Sequence, residues 1–552
     1  MPANDHLLKM KTIMIMVLLG GAAFIPNIPS LMGDTLLIVG VFVTLGIWLT
    51  QMIMAGKIST RSTPLDNPLI LAILVGLIGF FKSPHILESL MALLKFLSLL
   101  IFGLILLNYE NRNALVKYIY RLVIWLSFIL AVLSIYEYFF GLWGIPAGGR
   151  VLSTFPNPNH FAGFLACGLT FICYQLFYGT MEIKDRFLWV LVIAVELTAL
   201  WLTKSKGGAL SLGIGIFVIL FIYRRKWSYI FAGLAAAALV LIVMTPLRGV
   251  VFSREIHDPY TFEKVALYKE TINYIKDYPV LGTGLETFRY YFPRYKTMPG
   301  LRSAPYVHNE LLNIWTDFGL PGVALFIWIL VVYFRNASRQ VGIEKNSAMI
   351  GFVAVVTGIL AQSMIEFNLH SPGLAMIFMA LLAVTVSLAK EKQGKIAEIK
   401  VVRRNLWLGL SWGLVILLAA ILSMPVIAAN QEEQGDMAAN NLNYLESMVY
   451  YDRAMKFNPI DPEIMSKAGI TFYNEGMQLK DGIFIWAAGH YLEKAAHLQS
   501  LNPFRYRTLA DFYWHIGQKE KAIEVYRQVL VLAPNVEEFR KEVAHLQGAK
   551  KP

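Results

Sequence analysis

The sequence predicts an all-α membrane protein: a polytopic bundle of about 12–13 transmembrane helices with a large extracytoplasmic loop, then a small α-solenoid of tetratricopeptide type. Three observations carry that prediction. Of 552 residues, 56% are hydrophobic and only 16% are charged, against roughly 25% charged in soluble domains. The apolar residues gather in thirteen blocks, near 11–31, 34–56, 67–81, 86–107, 115–141, 160–179, 186–203, 207–223, 228–245, 311–334, 347–367, 371–389 and 405–429. As a helix, such a block crosses a hydrocarbon core of roughly 30 Å. Beyond residue 430 the apolar blocks stop, and a mixed-charge sequence with helical period replaces them.

The first block has no clear cleavage site and reads as a retained helix. Loop charges then set the orientation. With Lys9 and Lys11 inside, the inside loops hold Lys57 and Arg61, Arg112 and Lys117, Lys184 and Arg186, Arg224, Arg225 and Lys226, and Arg335, Arg339 and Lys345. The last inside loop holds Lys390, Lys392, Lys395, Lys400, Arg403 and Arg404. The short outside loops hold only Lys82, Arg150, Lys204 and Lys206. The net charge of +12 is therefore largely the retention signal of cytoplasmic loops, and no nucleic acid is expected as a partner. Cys167 and Cys173 share one apolar block, which argues against a disulfide framework or a cysteine metal site.

With thirteen crossings the N-terminus is cytoplasmic, while the 246–310 loop and everything after 430 face outward. The domains are then a membrane region, 1–429, and an external repeat region, 430–552. In the latter, Tyr506, Leu509, Ala510, Tyr513, Gly517, Ala522, Tyr526 and Pro534 fall on tetratricopeptide spacing. Small Ala and Gly sit where two helices touch, Tyr and Leu fill beside them, and Pro ends the unit. Tyr451, Ala454 and Pro459 match half of an earlier repeat, and Tyr491 to Ala495 match more loosely, giving about three repeats.

Chemistry concentrates in the polar island 278–322. His308 is flanked by Asn309 and Glu310 at an aqueous boundary; it is either a titrating group or a helix cap. Nine basic residues of the outer loop (Arg248, Arg254, Lys264, Lys269, Lys276, Arg289, Arg294, Lys296 and Arg302) face seven acids, so most belong to a solvated mixed surface. The exception is Arg289 to Arg302, where four cations run without an acid and Tyr290, Tyr291, Phe292 and Tyr295 interleave them. An anionic lipid-linked sugar suits that pattern, and so does anchoring at the membrane interface. Lys204 and Lys206 sit on the outer side, where positive charge is disfavoured; a bound phosphate or snorkelling to headgroups compensates them. The Asn157-Pro158-Asn159-His160 turn and the segment Glu366 to His370 fall on the same face, so four polar segments converge on one expected site. Gly282-Thr-Gly284 reads as a tight turn, since no strand precedes it and no third glycine follows in register. No DxD motif and no His, Cys or carboxylate cluster at ligand spacing occurs, so neither metal nor cofactor is expected.

Phe155-Pro-Asn-Pro-Asn-His-Phe-Ala, Thr203-Lys-Ser-Lys-Gly-Gly, Pro279-Val-Leu-Gly-Thr-Gly-Leu-Glu-Thr-Phe and His308-Asn-Glu-Leu-Leu with Phe318-Gly-Leu-Pro-Gly together resemble the O-antigen ligase family. Its superfamily also includes O-antigen polymerases and bacterial protein O-oligosaccharyltransferases. The resemblance covers roughly residues 10–390, and some members carry a trailing repeat domain like 430–552. It implies a metal-independent, inverting glycosyl transfer on the periplasmic face of the bacterial inner membrane. The donor would be a glycan on undecaprenyl diphosphate. The acceptor hydroxyl would lie on lipid A–core for a ligase, on another glycan for a polymerase, or on a protein. His308 would be the base or orient the acceptor. Lys206 and Lys264 stand where the family usually has arginine and so lose its bidentate grip on phosphate; Arg254 is a substitute. Lys204, Arg289, Asn159, Asn309 and Glu310 complete the expected substrate-binding set. Membrane lipids, and proteins docking on the repeats, are the expected further partners. The rival from another class is a non-enzymatic lipid-linked glycan transporter or scaffold.

Overall fold

The computed structural model describes residues 2–24, 30–141, 149–179, 183–226, 229–233, 264–297, 304–343, 348–388 and 396–548. The membrane region consists of α1 (Pro2–Phe24), α2 (Ser30–Met54), α3 (Asp66–Lys82), α4 (Ile86–Leu107), α5 (Arg112–Phe140), α6 (Pro158–Tyr178), α7 (Ile183–Leu202) and α8 (Lys206–Tyr223). After the outer-loop helix α9 (Lys264–Asp277) follow α10 (Glu310–Ile343), α11 (Met349–Ser363), α12 (Pro372–Ser387) and α13 (Arg404–Asn440). Among the described residues eight of these helices are long and apolar enough to cross a membrane. The apolar parts of α7, α11 and α12 are shorter. Most of the ninth expected block, 228–245, lies outside the described residues. The bundle is helical as expected, and its core is α6, buried over two thirds of its residues, and α12, buried over nearly all of them.

One element departs from the all-α expectation. Lys57–Arg61 (β1) pairs antiparallel with Ile396–Lys400 (β2). Lys57 also binds Glu398 at 2.6 Å. Both segments belong to loops that the charge rule assigns to the cytoplasm, and they meet at one end of the bundle. Five residues on each side give too short an alternation to read as strand without the partner.

At the other end the polar turns flagged in the sequence are helix starts. Asn157 Oδ1 accepts from the Asn159 amide and Pro158 takes the first turn of α6. Ser205 Oγ accepts from the Gly208 amide at 3.2 Å and caps α8. Asn309 Oδ1 accepts from the Leu312 amide at 3.1 Å and caps α10. α10 is then broken at Gly319, which has φ 65 and ψ −158, just before Pro321. The break frees carbonyls that the 279–284 loop satisfies: the amides of Thr283 and Gly284 donate to Thr316 O and Asp317 O, and the Leu320 amide donates to Pro279 O. A Cβ on Gly319 would lie 2.2 Å from Val280 O, so only glycine admits the loop this close.

The aromatic run near Tyr290 is core rather than an exposed sugar platform. Phe288 and Phe292 are buried and stack at 4.8 Å, and Tyr291 and Tyr295 pack edge-on against the buried Tyr274.

α13 runs unbroken through residue 430, so the expected domain boundary falls inside a helix. Six helices follow, from Tyr444–Phe457 to Glu537–Gly548, each packed on its neighbour in sequence. Ala454, Ala495, Ala510 and Ala522 are buried at these contacts, with Leu509, Tyr513 and Tyr526 beside them. This helical unit rests on the site end of the bundle. Glu88, in the first turn of α4, accepts from Gln499 Nε2 at 2.8 Å and from the Tyr290 hydroxyl at 2.9 Å.

Candidate functional site

The centre of the site is a carboxylate. Glu366 follows the end of α11 and its side chain is only 4% exposed. Oε1 accepts from Lys264 Nζ at 2.7 Å and from Asn159 Nδ2 at 2.9 Å. Oε2 lies 3.0 Å from His308 Nδ1. Burial alone would raise this carboxyl, but the His308 hydrogen bond and the Lys264 ammonium hold it below the usual carboxylate value. Lys264 Nζ also donates to Ile365 O at 2.6 Å.

The segments around Glu366 are locked together by further polar contacts. Arg150 donates from Nη2 to Asn159 Oδ1 at 3.0 Å and from Nε to Thr203 O at 2.9 Å. It therefore ties the start of α6 to the turn before α8. Gln362 Nε2 donates to Asn159 O at 2.8 Å. A Cβ on Gly207 would touch Gln362 and Ile365, and one on Gly208 would lie 2.4 Å from the Ala162 Cβ. The two glycines of the Thr203–Gly208 turn thus bring the start of α8 against α6 and the 362–366 segment.

His308 is held in a left-handed backbone, φ 57, a conformation that costs a non-glycine residue of order 1–3 kcal/mol. Its carbonyl accepts from the Tyr268 hydroxyl at 2.8 Å, and the Val307 amide before it donates to Asn313 Oδ1 at 2.8 Å. The ring packs edge-on against Phe367 at 4.7 Å. With Nδ1 on Glu366, Nε2 is the nitrogen that faces other groups. Lys204 shares the left-handed backbone, φ 52.

The triplet after Val307 divides its work. Asn309 Nδ2 donates to Met364 O at 2.9 Å. Glu310 turns away from His308: Oε1 lies 3.3 Å from His370 Nδ1, and Oε2 accepts from the Leu369 amide at 3.3 Å. Burial would lower the His370 imidazole, but the Glu310 carboxylate outweighs it and raises it to about 9. Glu310 and Asn309 therefore staple the start of α10 to the 364–370 segment.

Of the residues expected at the site, His308, Lys264 and Asn159 meet at Glu366; Asn309 and Glu310 brace the same segment; and Lys204 and Lys206 lie in the adjoining turn. Arg289 instead pairs with Glu286 at 3.3 Å and lies over the Tyr290 ring. Arg254 lies outside the described residues. Sequence reasoning missed Glu366 as the hub, together with Arg150, Gln362 and Tyr268. The signal for Glu366 was present, since an acid bordering an apolar block is a functional candidate by default. Among the described residues no three His, Cys, Asp or Glu side chains group as a metal site would.

Residues 189–327 match the family model described as O-antigen ligase. No curated protein matches the chain. The matched stretch runs from α7 into α10 and carries Lys206, Lys264 and His308, whereas Asn159 and Glu366 are brought to it by the fold. Over this region, about a quarter of the chain, the protein is similar to the O-antigen ligase family.

Proposed function

We propose that the protein transfers a glycan from undecaprenyl diphosphate to an acceptor hydroxyl on the outer face of the bacterial inner membrane, with inversion and without a metal. The observation that carries this reading is the His308–Glu366 pair, 3.0 Å apart, flanked by Lys264. A carboxylate on Nδ1 fixes the tautomer that leaves Nε2 unprotonated, and it stabilises the imidazolium that forms when the proton is taken. In the reaction the acceptor oxygen bonds to the anomeric carbon while the carbon–oxygen bond to the diphosphate breaks. The acceptor proton passes to His308 Nε2, and the diphosphate leaves with the electron pair. A positioned base contributes about 10²–10⁴-fold. Lys206, Lys204 and the third hydrogen of Lys264 would stabilise the departing diphosphate, aided by the N-terminus of α8.

The acceptor assigned to a ligase is lipid A–core; a growing glycan or a protein are the alternatives within the class. The cytoplasmic N-terminus follows from loop charge. The helices after 440 read as tetratricopeptide units on the outer side, a reading supported by their contact with Glu88 and the outer loop.

His308→Ala, assayed with a synthetic polyprenyl-diphosphate glycan, should slow transfer about 10²–10⁴-fold while donor binding persists. Lys206→Ala should weaken donor binding. Transfer that survives His308→Ala at the wild-type rate would discard the enzyme and favour a transporter or scaffold.

A further inference from the structure

A chamber of about 250 Å³ opens beside the site, between α2, α3, α4, α10 and α12. An apolar protein cavity of about 150 Å³ already holds an aromatic ring, so this space takes a ligand segment rather than a few waters. Along α10 its lining runs from Glu310 to Ile329, roughly 28 Å of helix. The deep walls, among them Phe96, Leu325, Ala375 and Met379, are apolar. The shape and the chemistry are those of a slot for a hydrocarbon tail.

The charges at its upper end decide whose tail. Carboxyl groups of Glu286, Glu310 and Asp317 line it there, with His370 on Glu310. Arg289 offsets Glu286, and Lys95 is taken by Asp34 at 3.0 Å. Lys264, Lys204, Lys206 and Arg150, the cations near Glu366, are not part of the described lining. Glu286 is matched by Arg289 and Glu310 by His370, so a diphosphate would find no cation here that is not already opposite a carboxylate. Carboxylates instead accept hydrogen bonds from sugar hydroxyls. A second observation points the same way. Asn313 is 3% exposed, lines the chamber, and its Nδ2 has no partner among the described residues. It is a donor available to a ligand oxygen. The upper end is also one ring away from His308: Phe367 lies 4.7 Å from both His308 and Tyr306, and Tyr306 lies 4.3 Å from His370.

We propose that this chamber binds the acceptor: a glycolipid whose tail fills the apolar slot and whose uncharged, hydroxyl-bearing sugar stands at the carboxyl groups, beside His308. This rests on the transferase reading above and assigns donor and acceptor to opposite sides of Glu366. It disfavours a phosphorylated headgroup at the upper end of the chamber, and with it lipid A–core as the acceptor seated there.

The test uses the full-length protein in lipid nanodiscs with two photoreactive probes, an alkyl glucoside and a polyprenyl diphosphate, each with a diazirine in its chain. The glucoside should label Phe96, Leu325 or Met379 in preference to the diphosphate. Ala375→Phe should abolish that labelling and raise KM for the lipid-anchored acceptor about tenfold, with donor KM unchanged. Preferential labelling by the diphosphate, equal labelling by both, or labelling by neither overturns the proposal. Transfer measured on the same preparation separates the two readings. Activity without chamber labelling refutes the acceptor chamber alone. Labelling without any activity removes the transferase reading, and the acceptor role with it.

Discussion

Exchanging Glu366 for glutamine tests the centre of the site with almost no change in volume. The carboxylate takes Lys264 at 2.7 Å and Asn159 at 2.9 Å on one oxygen and faces His308 at 3.0 Å on the other. An amide nitrogen on the His308 side would offer a donor where an acceptor is needed. On the Lys264 side it would oppose an ammonium. A hydrogen bond to a charged group contributes roughly 1.5–3 kcal/mol, and each factor of ten in rate is about 1.36 kcal/mol. Losing the His308 contact alone should lower kcat by roughly ten- to a hundred-fold. Donor KM should change little, since Glu366 acts on His308 and not on the diphosphate. The assay is single-turnover and steady-state transfer from a synthetic polyprenyl-diphosphate glycan, run on Glu366→Gln, His308→Ala and the double variant. If Glu366 is a positioning residue for His308, the double variant is no slower than His308→Ala. A wild-type kcat in Glu366→Gln, or a double variant whose loss is the product of the two single losses, would refute the reasoning.

Three further outcomes follow from the same geometry. Gly208→Val places a branched side chain where a Cβ already lies 2.4 Å from Ala162 and 3.1 Å from its backbone; it should cost roughly 1–3 kcal/mol by overpacking, read as a lower thermal midpoint in detergent. His370 is raised to about 9 in the folded protein from an unfolded value of about 6.5. Its stabilisation is therefore fully present below pH 6.5 and lost as pH rises through about 9. With the side chain 19% exposed, about 2–3 kcal/mol should disappear across that window, and thermal scans of His370→Gln should lack this slope. Lys264→Arg should lower kcat about tenfold without improving donor KM; tighter donor binding would show that the position does nothing but grip phosphate.

The sequence carries its legible information locally. Asn157, Ser205 and Asn309 each precede an apolar run by the spacing of an N-cap, so the three helix starts can be read directly. The same holds for Ala454, Ala510 and Ala522, whose small size at fixed intervals marks helix contacts. What could not be read depends on pairing across the chain. Glu366 meets residues 58, 102 and 207 positions away, and no spacing rule joins them. β1 and β2 become strands only because each finds the other. The aromatic residues from Phe288 to Tyr295 are the types that either stack on sugar or fill a core; Tyr274, on another helix, decides for the core. Glu310 flanks His308 in sequence, but the left-handed turn at His308 and the start of α10 send the two side chains to different segments.

A lysine at position 264, where the resemblance implies arginine, has a physical account in this site. An ammonium has three hydrogens that point in different directions, whereas a guanidinium presents a planar fork. Lys264 directs one hydrogen to Glu366 Oε1 and another to Ile365 O. A guanidinium in the same place would chelate both oxygens of Glu366 and draw Oε2 away from His308. The point charge instead neutralises Oε1 and leaves Oε2 for the imidazole, while its third hydrogen has no acceptor among the described residues and would reach a phosphate oxygen. The Lys264 side chain is 39% exposed, which such a reach requires. In the proposed reaction one residue would thus link the two halves: Lys264 holds the carboxylate that faces His308, and it would stand beside the departing diphosphate. In the proposed reaction Lys204 and Lys206 would supply the remaining positive charge from the capped start of α8. That start is held in place by glycine packing against α6 and by the bridge from Arg150, so the position of Lys206 is a property of helix packing rather than of a loop.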